Sequence, residues 1–214
     1  MSLPELDELV VADPPAAWTD AGFTVDPDGV CRIGHVRIRL VGRDHGTGIV
    51  GWSWRGLSGT LDGGDLDGVP TTASERAPAE PATHPNGVVA IDHVVLLSPD
   101  LRRTVDALAS IGAQPRRERD GELGGRPVRQ IFYRFGDVIL EVVGSPETSA
   151  PGPSTLWGIT YVVPDVDAAA AYFGDAATSP KDAVQPGRRI ITLRHRDLGM
   201  SVRTALISPH VRAR

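Results

Sequence analysis

The chain has 214 residues, of which 41% are hydrophobic, 24 are Gly and 18 are Pro, and its formal net charge is −5. This length allows one large domain or two small ones with a sizeable core, and the high Gly and Pro content favours short strands and turns over a helical bundle. Cys31 is the only cysteine, which excludes an intramolecular disulfide and a cysteine-rich zinc site.

Charge and hydropathy also limit the partners. The acidic balance provides no general attraction for nucleic acid, and no apolar run approaches the roughly 18 residues that span a bilayer. The first residues, MSLPELDELVV, are acidic where a secretory signal would be basic. We therefore expect a cytoplasmic protein with no membrane or nucleic-acid partner. No GxGxxG, P-loop or nucleophile-elbow pattern is present, so we expect no nucleotide cofactor.

The first 57 residues contain a weak version of a unit that recurs later. LDELVVAD (6–13) predicts a strand, AAWTDAGF a short helix, and IGHVRIRLVG (33–42) and GIVGWSWRGL (48–57) two further strands. Residues 58–87 are rich in Gly, Pro, Asp, Thr and Ala and have few large apolar side chains. We interpret them as a linker.

Residues 88–144 give the clearest unit. VVAIDHVVLLS (88–98) predicts a buried strand. Asp100 is a suitable N-cap for the amphipathic helix LRRTVDALASIG, which Gly112 ends. VRQIFYRFG (128–136) and DVILEVVG (137–144) then predict paired strands, and there is room for another around 115–119.

The same order of elements returns in the last segment. TLWGITYVV (155–163) predicts a strand, Asp165 precedes the short helix VDAAAAYFG (166–174), and RRIITLRH (188–195) and MSVRTALIS (200–208) predict two more strands. Such internal repetition indicates modules that bury their faces against one another. The expected fold class is α+β, with a two-module domain at 88–214.

A repeated βαβββ module resembles the vicinal oxygen chelate superfamily, which includes glyoxalase, bleomycin resistance proteins and extradiol dioxygenases. The resemblance is most specific at IDHVVLLSPDLRRTVDALASIGA and FGDVILEVVG. It implies that two modules curl into a half-barrel cleft. It also implies a divalent metal (Mn, Fe, Co, Ni or Zn) held by residues on the first and last strands of each module.

The resemblance places these ligand positions residue by residue. In the 88–144 module they fall on His93 and Glu141, whose side chains suit a divalent metal or proton transfer. Independently of the resemblance, a Glu inside the apolar run VILEVV is costly unless it is paired or bound to a metal. In the last module the positions fall on Gly158 and Thr204, so the extradiol dioxygenase and four-ligand glyoxalase patterns fail.

The N-terminal module offers a possible replacement. Its two positions fall on Glu8 and Arg39. If this module pairs with residues 88–144, the cleft would hold a metal on His93, Glu141 and Glu8, and Arg39 would bind a carboxylate or enolate. Three modules would also leave one half-barrel open, and a homodimer would close it.

Other side chains are candidates for binding a small-molecule ligand in the cleft. Each has an alternative role in the core or on a solvated edge. Two adjacent arginines in a strand must also point to opposite faces. These substrate-binding candidates are Gln130, Trp157, Gln185, Arg188 and Arg189, in addition to Arg39.

Three functional hypotheses remain open at this point. The first is a glyoxalase-like lyase, isomerase or epimerase that acts through an enolate, with His93 and Glu141 as catalytic residues. The second is a metal-free protein that sequesters a small molecule, as resistance proteins of the superfamily do. The third is a degenerate scaffold whose cleft is filled by side chains. Fold alone does not choose among them.

Overall fold

A computed structural model describes residues 4–57 and 64–210, which form two curved sheets. The N-terminal half contains six strands and one helix. In chain order these are β1 (Glu5–Val11), α1 (Pro15–Asp20), β2 (Val30–Ile33), β3 (Val36–Leu40), β4 (Ile49–Arg55), β5 (Asp65–Leu66) and β6 (Val69–Ser74). Their order across the sheet is β2-β3-β1-β4-β6-β5.

The C-terminal half contains eight strands and two helices. In chain order these are β7 (Ala90–Leu97), α2 (Leu101–Ser110), β8 (Arg117–Leu123), β9 (Arg126–Phe135), β10 (Val138–Gly144), β11 (Thr155–Val162), α3 (Val166–Phe173), β12 (Lys181–Asp182), β13 (Arg189–Thr192) and β14 (Arg203–Ile207). Their order is β12-β13-β14-β11-β7-β10-β9-β8. The sheet curls into the half-barrel that the repeated modules predict.

Both sheets are built by the same rule. The first strands of two modules pair antiparallel at the centre, β7 with β11 and β1 with β4. Each first strand also pairs in parallel with the last strand of its own module, as β7 does with β10 and β11 with β14. The predicted α+β fold of paired modules is therefore confirmed.

The N-terminal half is larger than the sequence prediction of one module at 1–57 followed by a linker at 58–87. β4 is the first strand of a further, reduced module, since it pairs in parallel with β6, and β5 closes the sheet. β5 and β6 lie inside the segment interpreted as a linker, so that interpretation is wrong for residues 65–74. Residues 58–63 of the proposed linker lie outside the described residues.

The strand pairing also distinguishes the two-module domain expected at 88–214 from the alternative in which the N-terminal module pairs with residues 88–144. The 88–144 module pairs with the 155–209 module through β7 and β11, and not with the N-terminal one. Every first strand has a partner within the chain, so no half-barrel needs a second copy to close it. The expected homodimer is therefore not needed to close a half-barrel, and it stays a prediction.

The two larger helices begin where their N-caps predict. The Asp100 side chain accepts a hydrogen bond from Arg103 N, and the Asp165 side chain accepts from the backbone N–H groups of Asp167 and Ala168. These bonds satisfy donors that a helix N-terminus otherwise leaves free. Gly112, with φ +83°, follows α2 in the left-handed region where glycine is favoured.

Aromatic side chains connect the two halves in one continuous core. Phe23 lies with ring centroids 4.9 Å from Trp18 and 5.5 Å from Tyr161, and Trp54 lies 4.6 Å from Phe135. Trp52 and Trp54 are both buried, as their shared strand face predicts. The halves are thus held by apolar packing between the sheets.

No helix in residues 4–57 or 64–210 is long and apolar enough to cross a membrane.

Candidate functional site

The concave face of the C-terminal sheet contains an open cavity of about 590 Å³. Its volume lies in the range typical of small-molecule sites. Strands β7, β8, β9, β10 and β11 all contribute to it. The lining is mostly apolar around a small polar group, and consists of His93, Val95, Leu97, Arg119, Asp120, Gly121, Glu122, Val128, Gln130, Glu141, Val143, Trp157, Thr160 and Val184.

His93 and Glu141 meet in this cavity. Alternate residues of a strand point to one face, so His93 lies with Val95 and Leu97 toward the cleft, while Asp92, Val94 and Leu96 belong to the buried set. β10 runs parallel to β7 and presents Glu141 on the same face. The His93 Nε2 atom lies 3.6 Å from Glu141 Oε2.

A β-bulge brings Asp92 to the other nitrogen of the His93 ring. Ile91 and His93 have partners on β11, whereas Asp92 between them has none. The local change in strand geometry lets adjacent side chains meet, and His93 Nδ1 lies 2.8 Å from Asp92 Oδ2. Because an ionised carboxylate only accepts, Nδ1 carries the hydrogen and Nε2 faces the cleft.

Asp92 is fixed from below by a buried arginine. The Arg188 Nη2 atom donates to Asp92 Oδ1 over 2.5 Å, and its Nε donates to the Ser208 carbonyl over 2.8 Å. Burial alone would raise the pKa of Asp92, but the hydrogen bonds and charges of His93 and Arg188 outweigh burial and lower it from 3.8 to about 2. Asp92 is therefore a permanent anion at neutral pH.

Glu141, the partner of His93 in the cavity, is held by a chain of hydrogen bonds. The Gln130 side-chain amide donates to Glu141 Oε1, and Gln130 Oε1 accepts from Arg119 Nε over 2.9 Å. These contacts fix the orientation of the Gln130 amide. They also place the Arg119 guanidinium at the cavity wall, where Gln130 separates it from the His93–Glu141 pair.

The predicted arginine ligands occupy other places. Arg188 is buried beneath the cleft and binds Asp92, so it does not contact a ligand in the cavity directly. Arg189 points to the opposite face and pairs with Asp167 at the surface. Gln185 does not line the cavity, although its neighbour Val184 does. Trp157 does line the cavity, and its side chain is 42% exposed.

Strand register defines the equivalent positions in the last module. Glu141 lies opposite Val95 on β7, and the equivalent pair on β11 and β14 is Thr160 with Ala205. Ala205 therefore replaces the predicted Thr204, which is buried on the other side of the strand. The error is one residue, and a shift of one residue reverses the face of a strand. Gly158 remains the equivalent of His93.

The N-terminal candidates do not reach the cleft. Glu8 accepts hydrogen bonds from Arg39 Nε over 3.2 Å and Arg76 Nη1 over 3.0 Å, all within the N-terminal half. The prediction that Glu8 completes a metal site with His93 and Glu141, and that Arg39 binds a ligand there, is wrong. The reason is that the module containing Glu8 and Arg39 pairs within the N-terminal half and not with residues 88–144.

Those residues instead fill the equivalent face of the N-terminal sheet. Asp7 is fully buried and accepts from Arg37 over 2.5 Å, Arg55 over 2.6 Å and Arg76 over 2.7 Å. Burial would raise the pKa of Asp7, but the Ser74 hydrogen bond and the interactions with Arg76 and Arg37 lower it. The third hypothesis, a cleft filled by side chains, thus describes the N-terminal half.

The donor set of the open cleft does not fit a resident metal ion. Within residues 4–57 and 64–210, no group of three or more His, Cys, Asp and Glu side chains is placed to hold one. His93 and Glu141 supply two donors, whereas a protein-bound catalytic metal usually has three. Gly158 and Ala205, across the cleft, have no donor atom.

Three residues in and around the site are not evident from the sequence alone. Asp92 directly precedes His93 in IDHVV, but an adjacent residue normally points away, and only the bulge changes this. Arg119 lies in RERDGEL, where alternating charges look like a solvated strand. Arg203 lies in the last strand and lines a neighbouring pocket. Adjacency to His93 was the one clue available for Asp92.

No protein-family model matches the chain, and no curated protein matches it. Solved structures do match. A triple mutant of 4-hydroxymandelate synthase from Streptomyces coelicolor superposes with a TM-score of 0.63 at 14% identity, covering 98% of this chain and 94% of that one. The chain has the vicinal oxygen chelate fold.

Two further solved structures agree with this fold. A xylose isomerase-like TIM barrel/4-hydroxyphenylpyruvate dioxygenase fusion protein matches with a TM-score of 0.62 and 13% identity, over 100% of this chain and 50% of that one. A variant of homoprotocatechuate 2,3-dioxygenase from B. fuscum matches with a TM-score of 0.60 and 14% identity, over 97% of this chain and 72% of that one. At such identities the likeness concerns the vicinal oxygen chelate fold alone.

Proposed function

We propose that this protein is a small-molecule isomerase or epimerase in which His93 moves a proton on a carbon next to a carbonyl group. The observation that carries the proposal is the hydrogen bond from His93 Nδ1 to Asp92, which directs the basic Nε2 atom into an open cleft. A general base needs a free nitrogen within reach of the substrate and an orienting partner on the other nitrogen.

The proton transfer balances within the residues of the cleft. His93 Nε2 takes the proton from the carbon, and the electron pair of the C–H bond becomes that of an enolate. The imidazolium so formed lies between the carboxylates of Asp92 and Glu141, which stabilise it. Return of the proton to the other face or to a neighbouring atom completes an epimerisation or an isomerisation.

The enolate oxygen also needs stabilisation, because its charge develops in the transition state. Arg119 and Thr160 both line the cavity. Arg119 is held by Gln130 at two of its nitrogens, which leaves other N–H groups for the substrate. We assign the anion-stabilising role to these two residues.

Exchange of carbon-bound hydrogen in D₂O tests this proposal without knowledge of the natural substrate. A panel of 2-oxo acids, α-hydroxyketones and acyl thioesters is incubated with the protein, and loss of the C–H signal is followed by NMR. We expect exchange of at least one compound, and a fall on the order of 10²-fold in its rate for His93→Ala. His45→Ala, an exposed histidine of the other half, is the matched control.

Glu141→Gln should slow the same exchange, whereas Glu118→Gln should not, because Glu118 lies outside the cavity lining. Absence of exchange with every compound, or exchange that survives His93→Ala, would refute the proposal.

A second candidate function is metal-free binding of a small molecule. The apolar lining favours it, since Val95, Leu97, Val128 and Val143 surround the polar group. This function predicts tight binding of panel compounds with no hydrogen exchange, and equal affinity for wild type and His93→Ala.

A further inference from the structure

The cleft continues past Trp157 into a second compartment of about 290 Å³. Val95, Trp157 and Thr160 line both compartments, so one ligand can extend from one into the other. The polar residues that line only the second compartment include Thr192, His195 and Arg203.

Small residues create this space at the positions equivalent to His93 and Glu141. Gly158 and Ala205 stand there, and both line the second compartment. A Cβ atom at residue 158 would lie 2.8 Å from the Arg203 carbonyl oxygen, so the close approach of β11 and β14 requires glycine. The last module has therefore lost the acid–base pair and has an open pocket in its place.

Arg203 gives this pocket its charge. Its guanidinium carbon lies 4.7 Å from the centroid of the Trp157 ring, a cation–π arrangement. In the described part of the chain no carboxylate pairs with Arg203, whereas Arg188 and Arg189 each have an acidic partner. The stacked guanidinium has its planar N–H groups free for an anion.

The surroundings of Arg203 are positive. Burial and the charges of Arg203 and Arg196 lower the pKa of His195. A ligand group that enters this compartment meets an unpaired cation, a flat aromatic face and the hydroxyl of Thr192. A carboxylate attached to a planar apolar group fits all three.

We propose that the second compartment binds the carboxylate of a planar, apolar carboxylic acid through Arg203, beside the ring of Trp157. This inference rests on the proposed function, because it assigns the remote end of the substrate whose reacting carbon lies at His93. Arg203 forms a two-point contact with the carboxylate, and Trp157 packs against the apolar part.

Calorimetric titration with two matched probes tests the assignment. The probes are 2-naphthylacetate and the uncharged 2-naphthylacetamide, which have the same apolar group. For wild type we expect the acid to bind at least tenfold more tightly than the amide. Arg203→Gln should bring this ratio close to one. Arg203→Lys should keep part of the preference, since lysine retains the charge but cannot form the two-point contact of a guanidinium.

Arg196→Gln is the control, because it removes the same charge from the neighbouring loop without touching the compartment lining. It should retain the wild-type ratio. Equal affinities of wild type for the two probes, failure of both to bind, or an unchanged ratio in Arg203→Gln would each overturn the inference.

The measurement is independent of catalysis. His93→Ala should bind 2-naphthylacetate as tightly as wild type does. If wild type catalyses no hydrogen exchange but prefers the carboxylate probe, the proposed reaction is refuted and the Arg203 subsite stands. If wild type catalyses exchange but binds both probes equally, only the subsite is refuted.

Discussion

Two adjacent arginines have opposite environments. Arg188 is almost fully buried against Asp92, whereas the Arg189 side chain is 45% exposed beside Asp167. Loss of one partner of a buried pair leaves an uncompensated charge in the interior. Loss of an exposed pair removes an interaction that water screens.

We therefore expect Arg188→Met to lower the free energy of unfolding by about 3–5 kcal/mol, and Arg189→Met to change it little. Urea denaturation of the two variants measures the difference. Arg188→Met should also slow the hydrogen exchange proposed for His93, because Asp92 loses the group that fixes it. Equal stability of the two variants would contradict this account of Arg188.

Among individual residues, the sequence could identify His93 and Glu141 as candidates, but few of the residues that hold them in place. A histidine in IDHVV and a charged residue inside VILEVV were visible as exceptions in apolar strands. The alternation of strands also predicts that only one of Arg188 and Arg189 enters the protein, but not that it binds Asp92. Long-range partners and the bulge at Asp92 depend on tertiary structure.

Among the elements, the extended segment at 77–87 is held to the N-terminal half by a buried histidine. His84 Nδ1 accepts from Thr24 N over 3.0 Å, and Nε2 lies 3.1 Å from the Arg32 carbonyl. Both contacts are satisfied by a neutral ring with its hydrogen on Nε2. Burial lowers the pKa of His84, which the nearby Arg32 charge reinforces and the hydrogen bond to its carbonyl opposes.

This gives a pH dependence with a defined sign. The unfolded chain takes up a proton on His84 near pH 6.5, whereas the folded chain resists it, so stability falls as the pH drops below about 6.5. We expect wild type to lose stability between pH 7 and pH 5, with His84 contributing at most about 1.4 kcal/mol per pH unit. His84→Gln should have a weaker pH dependence in urea denaturation, and the exposed His45→Gln should not.

The sequence could predict some helices and strands and not others. Strong strands and capped helices of the C-terminal half have clear periodicity and N-cap residues, and they form where predicted. β5 has two residues, and β6 is VPTTAS, with a proline and little apolar alternation. Their strand conformation follows from pairing with β4 rather than from local preference.

Across the whole molecule, the two sheets share one architecture but differ in what occupies their concave faces. The C-terminal half keeps its concave face open, and the N-terminal half fills the same face with Asp7, Glu8 and their arginines. Arg39 occupies the position that corresponds to Glu141, and pairs with Glu8 at the position of His93. No described residue of the N-terminal half lines the open cavity of the C-terminal half.

Glu8→Gln tests this division. The variant should lose about 1 kcal/mol of stability, because the partly exposed Arg39 and Arg76 lose the ionised acceptor that the buried Glu8 supplies. It should bind 2-naphthylacetate and catalyse hydrogen exchange as wild type does, in contrast to substitutions at the equivalent His93. A folded Glu8→Gln protein with altered affinity or rate would show that the two halves are functionally coupled.

Central pairing of first strands places the weakest strands at the margins of both sheets. The outermost strands β5 and β12 have two residues each, and β8 at the opposite margin carries Arg117, Glu118, Arg119, Asp120 and Glu122 along its seven residues. Short or highly charged margins are poor templates for a strand of another molecule. The fold thereby resists edge-to-edge aggregation at these three margins. At the fourth margin, β2, the bridge from Val25 to Cys31 and the hydrogen bond from Ala82 N to the Arg32 carbonyl occupy the edge that another strand would need.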